Sequence, residues 1–352
     1  MTPASSNPNH WSRIRESGSA AGVRTMVWIR RHLGRLPFQF MLTLVIGYFY
    51  VAHGLHRRAS HTYLVRLWRH LHGAPPKRLT WLSLRHFRSF GQSLMDKIDA
   101  WSGIPPRVEF AEGARQRFLD AVSSGRGGVM FVSHVGNMEI CTAMSDMRED
   151  FRATLLMHTR NAQQFDAVLA RSTHRENPPE IIEVSEITPS TAMQLGQRIA
   201  EGGFVVIAAD RVPISDSGRA RTLSFLGHPA RFPEGPFWLA SLLRCPVYTI
   251  GCFRHRDGYR VEFDTFDDTQ RLGRRQRDAW IGDAMQRYVA WLTRQCANTP
   301  LQWFNFFPFW LDCADAQPEA TDHNATTTAT TTATTTATTT ATATQADDAP
   351  RD

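Results

Sequence analysis

The chain has 352 residues, 42% of them apolar and 11% aromatic, which suits one large domain with attachments or two small ones around a substantial core. Its net charge is +7, but the tail from Asp315 sets six carboxylates against Arg351, net −5, which leaves +12 on the rest; such a body favours acidic partners such as anionic lipid, phosphorylated head groups, an acidic carrier protein or nucleic acid. The five cysteines, Cys141, Cys245, Cys252, Cys296 and Cys313, form no C-x-x-C pair and are odd in number, which excludes a disulfide framework and a zinc site and points to reduced, cytosol-facing thiols.

Residues 1–35 are a polar, basic leader. The run "LPFQFMLTLVIGYFYVA", residues 36–52, carries no charge and is flanked by basic residues on both sides. A membrane span takes ~20 apolar residues. This run is slightly short, so the expectation is a membrane anchor that either spans or lies half-buried in the interface, with Trp28, Tyr48 and Tyr50 as interface anchors. A core helix of the globular domain satisfies the same pattern. Residues 53–106 read as helices in which basic and aromatic residues interleave. Leu82, Leu84, Phe87, Phe90 and Leu94 recur at helical spacing and predict one apolar face opposite a cationic one.

From 107 to 314 the pattern alternates. Strands are expected at "GVMFVSH", "ATLLMH", "EIIEV", "FVVIAAD", "PVYTIGCF" and "YRVEF". Helices are expected at 114–123, 138–148, 162–174, 190–201, 234–243 and 275–296. Such alternation predicts an α/β fold with a mostly parallel central sheet flanked by helices. Ligands in these folds bind beyond the C-terminal ends of the strands, where His134 and Asp210 both fall. Residues 315–352, rich in Thr and Ala, have nothing larger than Ala to bury and are expected to be disordered.

The stretch "SHVGNME", residues 133–139, ends a strand in a histidine and returns a carboxylate five residues later. Asn137 suits a helix N-cap, and Glu139 then falls in the first helical turn, where the helix dipole favours its charge. A strand–turn–helix path can fold Glu139 toward His134. One imidazole nitrogen held by a carboxylate leaves the other free to take a proton from a hydroxyl. Ser133 and His134, as neighbours on a strand, point to opposite faces, and no G-x-S-x-G elbow is present. H-x-x-x-x-E has no third ligand nearby, so no metal is expected. From the residues alone, a base-and-orienter pair and a plain structural histidine both stay open.

"HVGNME" is the H-x-x-x-x-[DE] motif of the lysophospholipid acyltransferase superfamily. More closely, the chain resembles the lipid A biosynthesis acyltransferases of the bacterial inner membrane. The likeness covers roughly residues 10–310. It takes in the leader "HWSRIRESGSAAGVRTMVWIRRHLGR", the apolar anchor after it, and "GGFVVIAADRVPISDSGRARTLSFLGHPARFPEGPFWLASLLRCPVY". The resemblance implies O-acyl transfer from an acyl thioester, on acyl carrier protein or CoA, to a hydroxyl of a lipid acceptor. It implies no cofactor and no metal, because the thioester carries the activation. His134 would be the general base and Glu139 its partner, with Asp210 matching the family's strand-end acid. Arg160 or Arg171 would meet the acceptor's phosphates or head group. Arg211, Arg219 and Arg221 form a basic loop for phosphate or the carrier protein. "FPEG", residues 232–235, is similar to the phosphate-binding turn of phospholipid-glycerol acyltransferases and adds Gly235. The implied location is the inner membrane, catalytic domain toward the cytoplasm. Acceptors open to such a chain include lipid A precursors and specialised lipids of the aryl polyene or ornithine type. A non-enzymatic binder of anionic membranes is the alternative from another class. Nucleic acid is not expected as a partner, since no binding motif accompanies the charge.

Overall fold

The computed structural model describes residues 20–101, 106–138, 140, 151–157, 180–184, 188–212 and 219–313. All lie in one unit, Met1–Asp315; the Thr/Ala-rich tail is outside the described residues.

Four helices come first: α1 (Ala20–His32), α2 (Arg35–Ala52), α3 (Gly54–His72) and α4 (Leu79–Trp101). Helix α2 is the uncharged run. It docks one stripe, Phe38, Ile46 and Tyr50, and leaves Leu36, Phe40, Leu44, Tyr48 and Val51 exposed on another. The docked stripe meets α4. Gly91 of α4 permits this approach, because a Cβ there would stand 2.9 Å from Ile46 Cδ1. On α4 itself the buried residues include Ser83, His86, Phe87, Gly91, Met95 and Asp96, while Leu84 is exposed. The apolar face predicted from spacing is thus rotated slightly, and polar groups share it.

After β1 (Val108–Phe110) and α5 (Ala114–Ser123) come β2 (Gly128–Val132), β3 (Ala153–Met157), β4 (Glu180–Glu183), α6 (Pro189–Ala200) and β5 (Phe204–Ala208). Thr188 starts α6 with a capping box to Thr191, and Pro189 occupies the first turn, where its missing N–H costs nothing. The hairpin β6 (Ala220–Phe225)–β7 (His228–Pro233) stands apart as a two-stranded sheet. Then come α7 (Gly235–Leu243), β8 (Pro246–His255), β9 (Gly258–Asp268) and α8 (Arg277–Asn298). The seven-stranded sheet has the order β1-β9-β8-β2-β5-β3-β4. All its pairings are parallel except β8–β9, whose two-residue connection is too short for a crossover. The fold is the expected mostly parallel α/β sheet flanked by helices.

Strand β2 is wholly buried, as a central parallel strand covered on both faces should be. On one face Val129 and Phe131 pack with Phe237 of α7 and Tyr288 of α8; on the other, Met130 and Val132 pack with Ala114 and Ala121 of α5. The segment after α8, residues 302–310, returns across the top of the sheet. Val135 bridges to Trp303, and Ala230 bridges to Trp310.

Candidate active site

Strands β2 and β5 are parallel neighbours, with Val132 opposite Ala208. Two residues past that pair on each strand stand His134 and Asp210, so the register alone brings them to the same height. The His134 ring nitrogen Nδ1 lies 2.7 Å from Asp210 Oδ1, and the His134 backbone N–H donates to Asp210 Oδ2 at 2.9 Å. A carboxylate is acceptor-only when ionised, so Nδ1 carries the proton. The lone pair of Nε2 is then directed away from Asp210. No hydrogen bond engages Nε2 among the described residues, and 35% of the His134 side chain is exposed.

Asp210 is 1% exposed. Burial pushes its carboxyl up, but the charge and hydrogen bonds of His134, together with the charge of Arg211, outweigh burial and hold it at about 2. It is an anion throughout the neutral range. A third donor completes its shell: Trp303 Nε1–H reaches Oδ2 at 3.3 Å.

The turn after His134 is set by Gly136, whose φ is +83°. A Cβ at this position would lie 2.1 Å from the Cys252 carbonyl oxygen of β8, so only glycine fits this approach. Gly136 N–H donates to Gln302 O, and Asn137 N–H donates to Cys252 O. Asn137 stands directly before the helical residues Met138 and Ile140, the position expected of a cap, and its side-chain amide donates to Ser93 O of α4 at 2.9 Å. Ser133 is buried, and its hydroxyl accepts from Val135 N–H, consistent with a turn residue rather than a nucleophile.

The other residues singled out by sequence separate into those brought here and those not. Arg211 follows Asp210 directly; it donates to Phe304 O at 2.8 Å and sits over the Phe307 ring at 5.4 Å. Burial pulls its pKa down to about 10, against the opposing charge of Asp210. Gly235 opens α7, where the neighbouring Glu234 carboxylate pairs with Arg221 and accepts from Trp238 Nε1–H. An anion at that helix end would therefore share it with a carboxylate. Arg219 stacks on Trp238. Glu139, Arg160 and Arg171 lie outside the described residues. No group of three or more His, Cys, Asp or Glu suited to a metal occurs among the described residues.

Sequence reasoning passed over Trp303, Phe304 and His86. Phe304 N–H donates to His134 O at 3.0 Å. His86, fully buried on α4, reaches the Trp303 carbonyl at 2.9 Å. The available signal was the aromatic run "QWFNFFPFW", residues 302–310: a buried indole needs an acceptor for its N–H.

A half-exposed imidazole oriented by a buried anion at the C-terminal edge of a parallel α/β sheet has the chemistry to accept a proton at Nε2. The model of the bacterial lipid A biosynthesis acyltransferase family matches residues 84–312, a span that runs from α4 to just past the strap of residues 302–310. The chain belongs to that family, and it is an acyltransferase acting on lipid. A comparison with curated proteins returns no match.

Proposed function

We propose that this enzyme moves a fatty acyl chain from an acyl thioester, carried on acyl carrier protein or CoA, to a hydroxyl of a lipid acceptor such as a lipid A precursor, with His134 as general base. The 2.7 Å contact between His134 Nδ1 and Asp210 carries this reading. It makes Asp210 the orienting acid, a role the sequence motif suggests for Glu139. With Nδ1 protonated and held, Nε2 takes the proton of the acceptor hydroxyl as its oxygen attacks the thioester carbonyl. The tetrahedral intermediate collapses with cleavage of the C–S bond. The imidazolium, stabilised by the Asp210 anion, returns its proton to the departing thiolate. Ester and free thiol leave, and His134 is neutral again.

In a folded, detergent-solubilised enzyme, His134→Ala is expected to lower turnover of dodecanoyl-CoA with a lipid A precursor by about 10²–10⁴-fold. Asp210→Asn should cost a comparable factor, because it favours the wrong tautomer. Full turnover in a folded His134→Ala variant would overturn the assignment.

The enzyme works at the bacterial inner membrane, catalytic domain toward the cytoplasm, with α2 as its membrane-facing element. Support comes from the exposed stripe Leu36, Phe40, Leu44, Tyr48 and Val51, which water disfavours and an acyl layer accepts, and from the basic body. Phe40→Asp with Leu44→Asp is expected to abolish co-flotation with anionic vesicles. Unchanged flotation would remove α2 from that role.

A further inference from the structure

His86 and Trp303 form a buried polar path that ends on the candidate dyad. The Trp303 carbonyl is acceptor-only, so His86 Nε2 must carry the proton in their 2.9 Å contact. His86 Nδ1 is then an acceptor, and it takes the Ser60 hydroxyl at 3.0 Å. Ser60 in turn accepts from Ser83 at 2.9 Å. Ser60, Ser83 and His86 are all fully buried. Each donor–acceptor role is fixed by its neighbour, and the path is neutral: burial lowers the His86 pKa to about 4.

At its other end Trp303 is locked on every side. Its ring is wholly buried against Tyr63 at 4.9 Å, Phe225 at 5.2 Å and Phe309 at 4.9 Å. Its N–H can only donate, and it donates to Asp210 Oδ2. The next peptide joins both partners of the dyad to the same strap: Phe304 N–H holds His134 O, and Arg211 holds Phe304 O. Residues 303–304 therefore touch His134, Asp210 and Arg211, while His86 pins them from α4.

Resting on the reading of His134 and Asp210 as the catalytic pair, we propose that Trp303 and His86 are positioning residues for acyl transfer: the Trp303 indole fixes the free oxygen of the Asp210 carboxylate, and His86 fixes Trp303 from the helical layer. The N-terminal helices then belong to the catalytic centre as well as to its attachment. The charged and titratable groups facing Asp210 are His134, Arg211, and Tyr288 and Cys296 of α8; burial raises the pKa of both α8 groups and keeps them neutral.

Full-length enzyme in detergent is assayed for CoA release from dodecanoyl-CoA with a lipid A precursor, across pH. Trp303→Phe keeps the ring and removes the N–H. It is expected to lower kcat about tenfold with KM for the thioester unchanged. It also moves the acidic limb of kcat/KM up by about half a unit, because a carboxylate relieved of one donor stabilises the imidazolium more. His86→Leu should show the same signature, and His86→Gln, which restores an N–H donor, should recover most of kcat. A folded Trp303→Phe with unchanged kcat and limb overturns the proposal. So do equal losses in His86→Leu and His86→Gln with an unmoved limb, the mark of packing alone. If Trp303→Phe does not fold, the His86 pair decides by the same criteria. His134→Ala run in parallel separates the two readings: an active His134→Ala sinks the dyad itself, whereas an inactive one beside a wild-type Trp303→Phe sinks only the positioning role.

Discussion

Helix α4 is fastened to the α/β layer at two places, and the two fastenings differ in kind. Near its start Ser83 and His86, with Ser60 of α3, make a neutral path to Trp303. Farther along, Asp96 makes a charged one. It pairs with Arg254 of β8, accepts from Tyr259 of β9 at 2.7 Å, and is steadied by Gln92 at 2.8 Å. Ser93 beside it takes the Asn137 amide. The neutral path reaches the His134 turn by way of Asp210, and the charged one reaches it through Asn137. One helix thus supports both sides of the same turn with chemically opposite means. A charged anchor loses most when one partner is deleted, because the other is left without compensation. A neutral anchor loses most when pH forces a charge into it.

The comparison breaks most visibly at Asp96. Asp96→Ala removes the acceptor of the Tyr259 hydroxyl proton and of the Arg254 guanidinium, and is expected to cost about 3 kcal/mol of unfolding free energy, less than a fully buried pair because Arg254 is partly exposed. Urea unfolding at pH 7 reads this as a lowered midpoint with an unchanged slope.

An effect of similar size, but one that pH brings on, distinguishes the neutral anchor. His86 has a folded-state pKa of about 4 against an ordinary 6.5, so its contribution is fully present above pH 6.5 and is lost as pH falls toward 4. Integrated over that window, protonation costs about 3 kcal/mol. His56 and His61 are also lowered by burial and steepen the same limb. The difference between wild type and His86→Gln isolates His86: the variant should lose less stability between pH 6.5 and 4. Parallel curves would show that His86 is not the buried neutral group described. Asp210, held at about 2 against an ordinary 3.8, begins to lose its own contribution below about pH 5, but it does so in both proteins and drops out of their difference.

The sheet was legible because its inner strands are buried on both faces and read as short apolar runs. All six expected strands form. The hairpin β6–β7 was hidden as a basic loop. Arg219 and Arg221 gave it a charged look, and its turn places Leu226 at φ 53° before Gly227 at φ 82°. Leucine with positive φ is uncommon, so "LG" carries none of the usual turn signal. Here Leu226 is 5% exposed, and its packing offsets the strain. At the site, His134 was legible from its motif and Asp210 from its strand end, but not their pairing. That depends on which strands become neighbours, and two parallel strands 76 residues apart in sequence announce no register. His86 was invisible because a histidine within an apolar helical stripe looks like any other core residue until its acceptor, far along the chain, is known.

The register between β2 and β5 has one further consequence. The His134–Asp210 pair is produced by two strands zipping side by side rather than by a local sequence motif. The imidazole keeps its place relative to the carboxylate through this register and through the Gly136–Asn137 turn against Cys252, with β3 seated beside β5. The pair is therefore a property of the sheet's strand order, and any change that kept β2 beside β5 in this register would keep it.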